Sequence, residues 1–189
     1  MKQTILVMLV LSLGPWVANA AEVPQSSSKA APQPLLGPVI ENFGPYLPVA
    51  DPGFVIPADQ TLNVVFDIAK ALDTGQLSRH LETPARFLNM HAGAGLEPER
   101  MHLAIVVHGQ ATRDLLTDEA YQRRFGAANP NRALLEAMAG AGVEIIVCGQ
   151  SAAFGGYNRS EFLPQVKMAL SAMTALVVLQ ERGHRMIAF

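Results

Sequence analysis

The sequence contains a single cysteine, Cys148, among 189 residues. One cysteine cannot form a disulfide within the chain, so the fold must depend on its hydrophobic core, for which half of the residues are available. Charged residues are also scarce, at 16%, and the formal net charge is −2. We therefore expect no nucleic-acid partner. Cys148 itself must be buried, reactive or paired with another molecule.

Nucleotide-binding and hydrolase motifs are absent as well. There is no P-loop, no G-x-G-x-x-G after a strand and no G-x-S-x-G elbow. None of the histidines has a metal-ligand spacing such as H-x-x-x-H; they are His80, His91, His102, His108 and His184. We therefore expect neither a cofactor nor a metal.

The first 60 residues divide into two segments. Residues 1–20 have a basic start, an apolar run at 5–13 and small residues that end at Ala20, a pattern that predicts a signal peptide cleaved after Ala20. The apolar run is too short to span a bilayer, so we expect a periplasmic or secreted protein without a membrane span. Residues 21–60 hold eight of the 13 prolines, which predicts a linker. We expect its later part, 39–47, to pack as an extended arm on the domain or on a neighbouring subunit.

Residues 61–189 alternate between strand and helix patterns. Strands are predicted at 62–68, 101–107, 143–147 and 184–189, and helices at 78–91, 112–126 and 132–141. We interpret the arginines of 112–126 as a solvated helix face. Residues 164–182 fit one long helix, or a strand at 166–170 followed by a helix at 171–182, and the alternation favours the second. Together these strands and helices predict a flavodoxin-like α/β domain with a five-stranded, mainly parallel sheet and helices on both faces.

Two of these strands end in similar sequences. The strand that ends before His108 continues as His-Gly-Gln, and the strand that ends before Cys148 continues as Cys-Gly-Gln-Ser. Strands of a parallel sheet end at one edge, so His108 and Cys148 should face the same crevice. In a flavodoxin-like strand order the first strand lies between them, which separates their backbones by about 10 Å. Asp67, near the end of that first strand, is predicted to cap the following loop; the alternative is that it orients His108 or raises the thiol pKa.

Several motifs in order resemble one protein family. They are Val-Val-His-Gly at 106–109, Asn-Pro at 129–130 before a helix, the run 142–151, and Leu-Gln-Glu-Arg-Gly-His at 179–184. Together they make residues 61–189 similar to the DsrE/DsrF-like family. This resemblance implies a flavodoxin-like fold, assembly into trimers or hexamers and, as in the TusD-like sulfur-relay members, a persulfide on the cysteine that ends the third strand. Cys148 occupies that position. The TusD-like members are cytoplasmic and carry basic residues soon after the cysteine, whereas this chain has an export signal and only Arg159 there.

Three functions follow from these features. The first is a persulfide carrier or sulfurtransferase-like protein that exchanges sulfur with donor and acceptor proteins or small thiols. The second is a noncatalytic oligomer that binds a small ligand in the crevice. The third is a redox sensor that forms an intermolecular disulfide. For the first, the catalytic groups are Cys148 and His108, which tunes the thiol, and the substrate- and anion-binding groups are Gly149, Gln150, Ser151, Arg159 and Asp67.

Overall fold

The computed structural model describes residues 32–188, which form one compact unit. The predicted signal peptide and residues 21–31 of the linker lie outside the described residues. The strands are β1 (Leu62–Ile68), β2 (Met101–Val107), β3 (Glu144–Cys148), β4 (Lys167–Ala169) and β5 (Arg185–Ala188). The α-helices are α1 (Arg79–Gly93), α2 (Asp118–Phe125), α3 (Arg132–Gly140), α4 (Gly149–Phe154) and α5 (Ala172–Glu181). None of the described helices is long and apolar enough to cross a membrane.

All strand pairs of the five-stranded sheet are parallel, and the strand order is β4-β3-β2-β1-β5. This confirms the predicted α/β class. The expected position of β1 between β2 and β3 is wrong, because β2 and β3 pair directly, with Val107 opposite Val147. The chain moves one strand along the sheet at each of its first three crossovers, and only the last crossover returns to pair β5 with β1. The ends of β2 and β3 are consequently one strand spacing apart, about 4.8 Å, instead of 10 Å.

The reversal of the last crossover places α5 on a different face of the sheet from the other helices. One face packs Phe66, Ile105 and Ile145 against buried residues of α1 to α4. The other face carries the alternate strand residues, Cys148 among them, and α5 covers it with Ala172, Ala175 and Leu179. Successive side chains of a strand point to opposite faces, so the thiol lies on the α5 side.

The segment after β2 differs from the single helix predicted for residues 112–126. It forms a 3-10 helix at Gly109–Leu115 and then α2, whose start is capped by Thr117. Its arginines are not simply solvated. Arg124 pairs with Glu161 at 2.8 Å and lies over the ring of Tyr157, and Arg113 donates to the carbonyl of Leu72. Between residues 164 and 182 the favoured alternative, a strand followed by a helix, is confirmed by β4 and α5.

Part of the proline-rich segment is bound to α1 through Asn89. The Asn89 side chain is fully buried, and its Oδ1 accepts from the backbone N–H of Val39 at 3.1 Å and of Ile40 at 2.7 Å. Its Nδ2 donates to three carbonyls of the same segment, including that of Phe43 at 2.8 Å. Gly44 has φ +68, and a Cβ there would lie 2.3 Å from the backbone nitrogen of Arg86. Glycine at this position therefore allows the segment to touch the helix backbone.

Replacement of Asn89 by alanine should release this segment from α1. Buried backbone groups at 39–44 would lose their partners, and we expect the free energy of unfolding to fall by about 2–4 kcal/mol. Urea denaturation measures the loss, and limited proteolysis should cut the variant first near residues 39–44. Arg79→Ala, at an exposed position of the same helix, is the control and should change stability by less than about 0.5 kcal/mol. Equal stability of Asn89→Ala and wild type would refute this role.

Candidate functional site

Cys148 is the last residue of β3 and also the N-cap of α4. Its Sγ accepts a hydrogen bond from the backbone N–H of Ser151 at 3.4 Å. α4 begins at once with Gly149. A Cβ at Gly149 would lie 2.6 Å from the carbonyl oxygen of Ala169 on β4, so only glycine allows this close approach.

Two opposed effects act on the pKa of the Cys148 thiol. Burial raises the pKa, whereas hydrogen bonds from the side chain and backbone of Ser151 and from the N–H groups of Ala172 and Gln150 lower it. The hydrogen bonds together outweigh burial, and the pKa lies below the usual value of a cysteine. Ser151 and Gln150 belong to the first turn of α4, and Ala172 begins α5. The positively polarised ends of two helices therefore meet at one sulfur.

The thiol is free but has little contact with solvent. Cys148 is only 5% exposed and packs against Ala172, Ala175 and Leu179 of α5. A reagent that reaches Sγ must therefore be small or end in a slender group. The environment combines a stabilised thiolate with restricted access.

Asp67 and His108 form a hydrogen bond near this cysteine. His108 Nε2 lies 2.9 Å from Asp67 Oδ1, and the two side chains are 30% and 24% exposed. The predicted role of Asp67 as a cap of the following loop is wrong, because its carboxylate contacts the imidazole instead. A carboxylate only accepts hydrogen bonds, so Nε2 of His108 carries the proton that it donates to Asp67.

His108 and Cys148 are neighbours across the sheet. They directly follow the paired residues Val107 and Val147, and strand alternation places both on the α5 side. No hydrogen bond joins the imidazole to the thiol within residues 32–188, and the imidazole is held toward β1 by Asp67. His108 thus does not tune the thiol by direct contact. That role belongs to the N–H groups and the Ser151 hydroxyl.

Ser151 connects the ends of β2 and β3. Its Oγ accepts from the backbone N–H of Gly109 at 3.0 Å, and its hydroxyl also lowers the pKa of Cys148. Gly109 has φ +57, and a Cβ there would meet the carbonyl oxygen of Ala69 at 3.1 Å. The His-Gly-Gln sequence at 108–110 and the Cys-Gly-Gln-Ser sequence at 148–151 are therefore in contact through the Ser151 hydroxyl group.

Arg159 lies away from the thiol. Its Nη2 donates to the carbonyl oxygen of Val166 at 2.5 Å, just before β4. Ala169 is the β4 residue opposite Cys148, and Val166 precedes it by three residues, about 10 Å along the strand. Arg159 holds the chain segment that enters β4, and the structure does not bring it to the sulfur.

Two groups near the carboxyl edge of the sheet were missed by sequence reasoning. One is the N–H of Ala172, because a helix start does not reveal which side chain it will meet. The other is Asp114, which is 3% exposed and whose Oδ2 lacks a hydrogen-bond partner. Burial raises the pKa of Asp114 to about 7, partly offset by Arg113, whose Nε is 3.8 Å from Oδ1. No group of three or more His, Cys, Asp or Glu residues within 32–188 is arranged to hold a metal ion.

The fold and site define a parallel α/β protein with a stabilised cysteine at the carboxyl end of its third strand. The model of the DsrE/DsrF-like family matches residues 63–189, and the chain belongs to this family. Family membership implies a function related to sulfur relay in general terms.

One solved structure similar to this chain is that of a protein of unknown function from Methanobacterium thermoautotrophicum. The two share 19% sequence identity at a TM-score of 0.52, over 68% of this chain and 99% of that one. This likeness shows the fold. Among curated proteins, none matches the chain.

The raised pKa of Asp114 predicts how stability depends on pH. Unfolded, the carboxyl ionises near pH 3.8, whereas in the fold it keeps its proton to about pH 7. Ionisation therefore favours the unfolded state, and stability should fall as pH rises from 4 to 7 and then level off. Asp114→Asn should abolish this fall and be more stable than wild type at pH 8, by up to about 4 kcal/mol, but not at pH 4.

Urea denaturation at a series of pH values tests this prediction. The matched control is Asp73→Asn, at an exposed aspartate, which should leave the pH dependence of wild type unchanged. Parallel stability curves for Asp114→Asn and wild type would contradict the assignment.

Proposed function

We propose that this protein is a sulfur carrier of the periplasm or the secreted fraction, which holds sulfane sulfur as a persulfide on Cys148. The observation that carries the proposal is the convergence of the N–H groups of Gln150, Ser151 and Ala172 on Sγ, which lowers the thiol pKa despite burial. The thiolate is the nucleophilic form of cysteine. The proposed location rests on the signal-peptide pattern of residues 1–20.

Sulfur loading starts from the Cys148 thiolate. The thiolate attacks the outer sulfur of a donor persulfide, R–S–SH; a new S–S bond forms as the donor S–S bond breaks. The products are Cys148–S–SH and the thiolate R–S⁻, which takes a proton from solvent. In unloading, an acceptor thiolate attacks the outer sulfur, becomes a persulfide and leaves the Cys148 thiolate. Neither step requires an oxidant, because the sulfane sulfur keeps its oxidation state.

The surrounding groups have distinct roles in this scheme. The N–H groups at the starts of α4 and α5 stabilise the negative charge on Sγ before and after each transfer. Asp67 holds His108 Nε2, which leaves Nδ1 for a donor or acceptor group in the crevice. Since Cys148 is 5% exposed, the donors that fit are polysulfide, thiosulfate or a slender persulfide.

The same burial favours one alternative, a noncatalytic binding module in which the thiol is only packed. A redox sensor that forms intermolecular disulfides is less compatible with a thiol covered by α5. Both alternatives predict that no sulfur is carried on Cys148.

Intact-mass spectrometry after incubation with polysulfide tests the proposal. Wild type should gain the mass of one or more sulfur atoms, and a reductant should remove it. Cys148→Ser should gain none. Ser151→Ala should load more slowly, because the thiolate loses a hydrogen bond, whereas Ser160→Ala, at an exposed serine, should load at the wild-type rate. Equal loading of Cys148→Ser and wild type would refute the carrier, and an absence of loading in wild type would favour the binding module.

Self-association is part of the proposal. The outer surface of α5 and the adjoining end of β4 expose Leu170, Met173 and Val177, at 73%, 75% and 58%. A second copy of this chain is the occupant we propose for this apolar surface, in a homotrimer or homohexamer. Since α5 starts at the residue whose N–H lowers the thiol pKa, such an interface would border the sulfur site.

A charge on this surface should separate the subunits. Met173→Glu places a carboxylate in the proposed interface, where its desolvation is unfavourable, and should sediment as a monomer in analytical ultracentrifugation. Leu36→Glu adds the same charge at another exposed apolar position, 54% exposed, and should retain the wild-type mass. A monomeric wild type, or an unchanged oligomer in Met173→Glu, would contradict the proposed interface.

A further inference from the structure

A cavity of about 1010 Å³ lies at the edge of the sheet opposite the thiol. It is bounded by the amino ends of β1 and β5, the last turn of α1, and residues 46–57, which we call the strap. Cys148 ends its strand at the carboxyl edge, so the two sites lie at different edges of the sheet. The sulfur chemistry proposed above does not use this cavity.

The strap is attached at both ends. At one end Tyr46 pairs through its backbone with Leu35, at 2.8 and 3.0 Å, and its ring is packed so closely on Gly93 that a Cβ there would lie 2.1 Å from the hydroxyl oxygen. Beyond the other end, Arg100 donates to the carbonyl of Ala58 at 2.5 Å and also to that of Gln60. Both ends of the strap are therefore held beside the cavity by contacts with the rest of the fold.

The walls of the cavity are mainly apolar. The floor includes Phe87 and Met90 of α1 and Leu62 of β1, and the strap contributes Phe54 and Val55. These two strap residues are 92% and 70% exposed, although each is large and hydrophobic. An apolar ligand in the cavity would remove part of this surface from water, which stabilises the complex.

The lining of the cavity contains basic side chains and no carboxylate. Arg185 and His91 line the cavity, and no aspartate or glutamate does. Arg185 forms no ion pair with a carboxylate of residues 32–188. His91 Nδ1 lies 2.8 Å from the carbonyl oxygen of Phe87, which leaves Nε2 for another partner. An anionic group next to Arg185 would complement this lining.

We propose that the cavity binds a free long-chain fatty acid, with its alkyl chain between the strap and α1 and its carboxylate paired with Arg185. The volume is at the upper end of the range for small-ligand pockets, about 300–1,000 Å³, which suits a long flexible chain. A guanidinium and a carboxylate form a charge-assisted pair of high geometric specificity. Fatty-acid binding in this cavity does not depend on the persulfide proposed for Cys148.

Fluorescence titration of the full chain with cis-parinaric acid tests this proposal. Wild type should show saturable binding of one molecule per chain, and palmitate should displace the probe. Arg185→Gln should weaken binding by at least about tenfold, because a charge-assisted contact is lost. The matched control Arg182→Gln, at an exposed arginine outside the cavity, should bind as wild type does, and so should Cys148→Ser.

A comparison of palmitate with its methyl ester uses only the wild-type protein, so its result does not depend on whether a variant folds. Palmitate should displace the probe at least about tenfold more effectively than its methyl ester, which lacks the charge. Absence of saturable binding, equal affinities of Arg185→Gln and Arg182→Gln, or equal displacement by acid and ester would overturn the proposal. Loss of probe binding in Cys148→Ser would also overturn it, because the ligand would then occupy the thiol site.

Discussion

The central interaction of this structure is the set of hydrogen bonds to the Cys148 sulfur, which offsets the effect of burial on the thiol pKa. A thiol packed beneath α5 would be unreactive without the N–H groups that reach it from two helix starts. That arrangement requires α4 to begin directly at Gly149, where only glycine can approach the backbone of β4. It also requires the last crossover to reverse, so that α5 covers the face that carries Cys148. The lowered pKa of the Cys148 thiol thus depends on the topology of the whole sheet.

Much of the fold could be predicted because strand and helix patterns are local. The runs at 62–68 and 101–107 match β1 and β2, since β-branched residues buried on both faces of a parallel sheet leave a clear signal. Strand order leaves no such signal, and for this reason β1 was wrongly expected between β2 and β3. The interpretation of the arginines of 112–126 as a solvated helix face was wrong for a related reason. Carbonyl and carboxylate groups distant in the sequence bind Arg113 and Arg124.

In the site, too, local sequence patterns predicted some features, whereas contacts between residues distant in the sequence determined the others. His108 and Cys148 were predicted to face the same crevice because each follows the end of a parallel strand. The N–H of Ala172 and the separation of Arg159 from the sulfur depend on how β4 and α5 return to the sheet, which no short motif encodes. Asp67 lies where it was expected, and its carboxylate contacts His108, the alternative to the predicted loop cap, because β1 pairs directly with β2. The sheet separates this reactive edge from the apolar cavity beneath the strap.

The account depends most directly on a stabilised yet reachable thiolate at Cys148. The measurement that tests it is the rate of alkylation of Cys148 by iodoacetamide in the native protein as a function of pH. We expect the rate to rise to a plateau with a midpoint below the usual cysteine pKa, because the thiolate is the reacting form. A thiol that reacts only after unfolding, or a midpoint at or above the usual value, would contradict the account.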